Sequence, residues 1–150
     1  MKKLFGIIIL GALSLTACKK DEDKSTQVAG KWLAEEVDIY HNNDLVYSDT
    51  LGSIITFNAC DINTFCDAII QESATSTPRT IKYKVTENET TLIMDENGNI
   101  ATTEDQQEYR IELLTATDLH ISITEDTEIT DEDGNNIMVN EKSVLKMKKQ

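Results

Sequence analysis

His41 and His120 are the only imidazoles in a chain of 150 residues that carries 27 Asp and Glu. Nucleophilic catalysis needs a base held against a nucleophile and a third group to orient the base. His41 falls beside Asn42-Asn43, where a strand is expected to end, and His120 lies on the polar phase of "DLHISIT". Both are therefore expected to face solvent. Paired carboxylates, the apparatus of glycoside hydrolysis, give no guidance in a chain where any two acids can be paired on paper. The G-x-S-x-G elbow, the phosphate loop and the zinc-protease motif are absent. In "DENGN" and "DEDGNN" the glycine is out of register with a D-x-D-x-D-G calcium loop and no closing Glu follows. These segments read as hairpin turns. No catalytic residue, metal or cofactor is expected, and the chain does not read as an enzyme.

Two single residues invite a functional reading. In "LAEEVDIY" the odd phase is Leu33, Glu35, Val37 and Ile39. On that phase Glu35 points inward, as a polar ligand contact in an apolar pocket, because an unpaired buried carboxylate is costly. A bulge at "EE" would instead turn both acids to solvent. Asp49-Thr50-Leu51 resembles the short Asp-Thr/Ser-apolar sites that receive O-linked glycans in some exported Gram-negative proteins, which implies a glycan acceptor at Thr50.

Cys18 stands at an abrupt boundary. Lys2 and Lys3 precede an apolar run over residues 4–17, too short for the roughly 20 residues that span a bilayer but suited to the core of an export signal. Leu15-Thr16-Ala17-Cys18 resembles the lipobox of bacterial lipoproteins. That resemblance implies cleavage before Cys18, a diacylglycerol thioether on its sulfur and acylation of the new amino group. Each buried methylene contributes roughly 0.8 kcal/mol to such an anchor. Residues 1–17 are then a signal peptide. Residues 18–28 form a charged, solvated tether whose extended reach from Lys19 is about 35 Å. Lys20-Asp21-Glu22-Asp23 resembles the lysine-then-acid signal that carries some Gram-negative lipoproteins to the cell surface. The implied location is the outer membrane, facing outward or, as the alternative, the periplasm. With Cys18 lipidated, Cys60 and Cys66 remain as a pair outside the cytoplasm, where disulfides persist. A bond closing "CDINTFC" would stabilise the fold by about 2.4 kcal/mol. A zinc site would want further ligands, and a redox pair would favour C-x-x-C.

The elements that must position these residues are strands. Ile81, Tyr83 and Val85 alternate with polar residues in "RTIKYKVT", as do Tyr109, Ile111 and Leu113 in "QEYRIELL" and Leu119, Ile121 and Ile123 in "DLHISIT". Period two marks half-buried antiparallel strands. Less regular strands are expected over residues 31–41, 45–49, 53–58, 66–72, 90–95 and 137–147. Turns at Asn42-Asn43, Gly52, Asn97-Gly98 and Asp133-Gly134 separate them. No helix is expected beyond the signal. The fold class is all-β: one antiparallel barrel or sandwich of about eight or nine strands. Gly30-Lys31-Trp32 opens the first strand as Gly-x-Trp does in lipocalins, and residues 29–150 resemble the lipocalin-like domains of bacterial lipoproteins. The resemblance implies that Gly30 and Trp32 belong to the barrel floor, beneath a cation from the last strand. With arginine only at 79 and 110, a lysine such as Lys146 is expected there.

Charge bounds the partners. Loss of Lys2 and Lys3 leaves 12 Lys and Arg against 27 acids, a net of −15 over 133 residues. Nucleic acid is disfavoured, since phosphate contacts need a basic footprint. The lipid bilayer is reached through acylated Cys18. The resemblance implies a lipocalin-like module enclosing a small apolar or amphipathic ligand; the alternative is a structural or interaction lipoprotein with a packed barrel and an envelope protein partner.

Overall fold

A computed structural model describes residues 23–97, 100, 103, 105–131 and 133–150. Residues 1–17, expected to be a signal peptide, Cys18, and Lys20, Asp21 and Glu22 of the expected export motif lie outside the described residues, as does Gly98. Nine strands follow one short helix: α1 (Lys24–Val28), β1 (Gly30–His41), β2 (Asp44–Thr50), β3 (Ile54–Phe57), β4 (Cys66–Gln71), β5 (Arg79–Val85), β6 (Thr91–Asp95), β7 (Gln106–Leu114), β8 (Asp118–Thr130) and β9 (Asn136–Lys149). Every expected strand is present.

The chain is all-β, and eight of the strands close into an antiparallel barrel in the order β1-β3-β4-β5-β6-β7-β8-β9-β1. Long β1 makes the closure. Its first residues, Gly30 to Leu33, pair with β3, while its other edge pairs with β9 from Trp32 to His41. Beyond Leu33 the β3 side of β1 is taken over by β2, the ninth strand, which pairs with Glu36 to His41 through a hairpin at Asn42 and Asn43. Those two asparagines have φ of 49° and 74°, the left-handed pair that a two-residue hairpin requires.

The barrel holds side chains. Trp32, Phe57, Ala68, Ile81, Tyr83, Val85, Leu92, Leu119, Ile121 and Met147 are no more than 1% exposed and belong to one contiguous cluster. Phe57 and Tyr83 meet edge to face at 4.8 Å. The Tyr83 hydroxyl donates to the Asn58 carbonyl, and burial pushes its pKa up to about 12.

Two local expectations are corrected. The tether does not run free to Val28: Lys24–Val28 forms a turn of helix, capped by the Asp23 carboxylate on the Thr26 N–H at 2.9 Å. Val28 and Ser25 are fully buried, so the folded domain begins at the cap. Five residues are too few to show a helical period, and only the Asp-x-Ser-Thr cap pattern marks them. The second correction is Glu35. Trp32 and Ala34 are the buried residues of early β1, and the β1–β9 register slips between Ala34 and Glu36. Glu35 is the extra residue of that bulge and is exposed. It is not an inward ligand contact.

Candidate functional site

The floor of the barrel is built on Gly30 and Trp32. The Trp32 indole donates to the Val28 carbonyl at 2.7 Å, tying α1 across the barrel end. The cation over its ring is Lys149, not Lys146: the Lys149 ammonium sits 5.0 Å from the centroid and also donates to the Gln27 carbonyl at 3.2 Å. Gly30 has φ of +130°, and a Cβ there would stand 2.8 Å from the Lys149 Cε. The backbone conformation calls for glycine, and a side chain there would also displace the end of the lysine.

Lys146 does other work. On β9 the residues facing the core, Leu145 and Met147, alternate with Lys142, Val144, Lys146 and Lys148 on the opposite side. Lys146 reaches Asp38 at 2.6 Å and Glu36 at 3.0 Å on β1. Lys142 reaches Glu112 on β7 at 2.8 Å, and Lys148 reaches Asp118 on β8 at 2.6 Å. The Lys146 hydrogen bond, with a smaller contribution from Ser48, holds the Asp38 carboxyl down at about 2. Lys148 and then Thr117 hold Asp118 at about 2. Lys142 and Ser122 lower Glu112, while Asp38 and Glu36 raise Lys146. Lys146 and Lys148 are matched to acids on the adjacent strands β1 and β8, and Lys142 reaches across β8 to β7. This row fastens β9 to the rest of the barrel.

The other expected residues are dispersed. Cys60 and Cys66 are joined in a disulfide. Thr50 is exposed at the end of β2, its N–H accepted by the Asp49 carboxylate at 2.8 Å. His41 ends β1 and is half-buried against Glu141, 3.1 Å away. His120 stands opposite Lys146 in the β8–β9 register. Among the described residues no group of three or more His, Cys, Asp or Glu is arranged to hold a metal. The chain matches no protein-family model, no curated protein and no solved structure.

Two features escaped sequence reasoning. Asp95 at the end of β6 is fully buried with neither carboxylate oxygen hydrogen-bonded; nothing in its strand pattern distinguishes it from a turn residue. The other is a groove of about 440 Å³ on the outside of the barrel, with Glu108, Arg110, Glu112, Ser122, Thr124 and Lys142 in its wall. It lies where β7 and β8 part. Their pairing runs from Leu114↔Leu119 only to Arg110↔Ser122. Beyond that point β7 continues along β6 to Gln106, and β8 continues along β9 to Thr130. The wall is polar, unlike the apolar cavity that a lipocalin-like ligand would want.

Proposed function

We propose that this protein is a non-catalytic lipoprotein of the outer membrane, anchored through acylated Cys18, whose barrel is a rigid platform for contact with an envelope protein. The packed interior carries this reading. Trp32, Phe57, Ile81, Tyr83, Leu92, Leu119, Ile121 and Met147 fill the space that a small apolar ligand would occupy. Aromatic and branched side chains at interior density resist displacement, because opening a cavity among them costs kilocalories. The anchor rests on the lipobox, and the outward orientation rests on Lys20-Asp21-Glu22-Asp23. A surplus of acids suits a protein crowded at a membrane surface, since like net charge opposes self-association.

Native mass spectrometry of the folded protein, released gently from its own envelope, tests the platform against the container. The expected mass is that of the lipidated chain alone. A reproducible additional mass lost on denaturation would overturn the platform reading and restore the enclosed ligand.

A further inference from the structure

Among the described residues several strand edges have no strand partner along part of their length, and two of them, on β2 and β8, differ in how they are finished. The outer edge of β2 is guarded. The Leu51 N–H donates to the Glu35 carbonyl at 2.8 Å, which fixes residues 35 and 51 as a hydrogen-bonded pair. The alternation of antiparallel pairing then aims the backbone groups of Ser48 and Thr50 away from β1. The Thr50 N–H is already taken by Asp49. A register shift between Ile39 and Tyr40, where Val46 is the extra residue, breaks the regular spacing of the edge. Bulges and charges of this kind prevent unwanted pairing.

The β7-facing edge of β8 is finished differently. Beyond Ser122, residues 123–130 pair with β9 without a single register shift, and β7 has departed. The Lys149 N–H donates to the Thr117 carbonyl and the Thr115 N–H to the Asp118 carbonyl. Odd-numbered residues of β8 therefore bond to β9, and the N–H and C=O of Thr124, Asp126 and Glu128 point into the open side. The side chains of those three residues share one face, and all three are exposed. At the base of this edge lies the polar groove between Glu108 and Thr124.

We propose that residues 123–130 are a docking edge for an extended, cationic segment of a partner protein, which adds to the sheet as a strand beside β8 and enters the groove at its base. Backbone pairing supplies the ladder, and acids on alternate positions select basic residues opposite them. A second copy of this chain is the wrong occupant. Its own Asp126 and Glu128 would face those of the first, and like charges directly opposite destabilise a strand pair. The inference rests on the platform reading, and it names the partner's chemistry.

Nuclear magnetic resonance of the whole isotope-labelled protein provides the test, with a synthetic peptide of alternating lysine and valine as the probe. The Thr124, Asp126 and Glu128 amides should shift and gain protection from exchange, while Ser48 should not. Asp126→Lys with Glu128→Lys should weaken binding by about tenfold or more. A peptide of the same charge with N-methyl groups along one edge should bind far more weakly, since it cannot form the ladder. Equal binding by the N-methylated peptide, or no protection at those amides, would overturn the docking edge. Protection that appears without peptide and grows with protein concentration would make a second copy the occupant and also overturn it. None of these outcomes depends on whether native spectra show a resident ligand, so the edge and the platform can fail separately.

Discussion

The Lys146 ammonium lies 2.6 Å from the Asp38 carboxylate, which is only 3% exposed, and 3.0 Å from Glu36. One lysine of the last strand thus bridges two acids of the first across the seam that closes the barrel. Tyr40 adds a hydroxyl to the same Asp38 oxygen at 3.2 Å, leaving the other oxygen, Oδ1, without a partner. Closure is therefore electrostatic as well as hydrogen-bonded.

That seam sets a pH dependence. Asp38 is lowered from 3.8 to about 2 in the fold, so its contribution is complete above pH 3.8 and disappears as pH falls through about 2. Lys146 is raised above 10.5, so its contribution is complete below that value and disappears as pH rises past it. Asp38→Ala should destabilise by about 1–3 kcal/mol near neutrality. Thermal melts across pH check this: the gap between wild type and variant should be flat at neutral pH and close towards pH 2. A constant gap through the acid range would contradict the pairing.

Gly30→Ala tests the barrel floor. The new methyl group clashes with Lys149, and the backbone is held at φ of +130°. Lys149→Ala relieves the clash but not the backbone strain. Gly30→Ala should therefore cost about 1–3 kcal/mol in either background, with a larger cost when Lys149 is present. The loss of the cation over Trp32 accounts for the Lys149→Ala change itself, about 0.5–1 kcal/mol. A double-mutant cycle in denaturant melts separates these terms, and additive effects would show that the lysine does not contact the floor.

Asp95 makes the opposite prediction. Its neighbour in register is Lys82, but that lysine is bonded to Asp67. A buried carboxylate with no hydrogen bond costs more free energy than its neutral amide isostere. Asp95→Asn should raise stability by about 1–3 kcal/mol. A lower thermal midpoint in the variant would mean that the carboxylate has a partner worth more than its burial.

The strands were legible because one face is buried and the other wet, which writes period two directly into "RTIKYKVT" and "DLHISIT". The floor was legible through Gly30 and Trp32. The choice of its lysine was not, because β9 carries lysines at 142, 146, 148 and 149 and only three-dimensional register decides which one meets Trp32. For Glu35 the sequence left open an inward phase or a bulge at "EE", and the register slip between Ala34 and Glu36 makes it the bulge. Past the bulge the core-facing phase passes from Trp32 and Ala34 to Val37, opposite Leu145, and Glu36 meets Lys146 at a sequence separation of 110. Asp38, buried at 3% exposure, was invisible for the same reason: its partner is remote in sequence.

The disulfide should be felt modestly. Cys60→Ser should lower stability under oxidising conditions by up to about 2.4 kcal/mol, and a reductant should remove the difference. The loop has other fastenings that limit the loss. The Asn63 N–H donates to the Val85 carbonyl at 2.8 Å, and Lys84 lies 4.5 Å over the Phe65 ring. Melts of both proteins with and without reductant provide the check, and identical midpoints in oxidising buffer would argue against a bond that contributes to stability.

The proposed export motif can be tested without disturbing the fold if its last acid, which has a second role, is left in place. Asp23 caps α1 and also receives the Ser25 hydroxyl at 2.7 Å, so replacing it mixes sorting with stability; removing a cap of this type costs about 1 kcal/mol. Asp21→Ala with Glu22→Ala leaves the cap in place. This pair should keep the protein in the membrane fraction with an unchanged thermal midpoint but withdraw it from external protease. Cys18→Ala should instead release it from membranes altogether. If the double variant stays accessible at the surface, the acids after Lys20 are a solvated leash and the sorting information lies elsewhere. If Cys18→Ala still fractionates with the outer membrane, the anchor is not a lipid on that sulfur, and the barrel itself must hold the protein there.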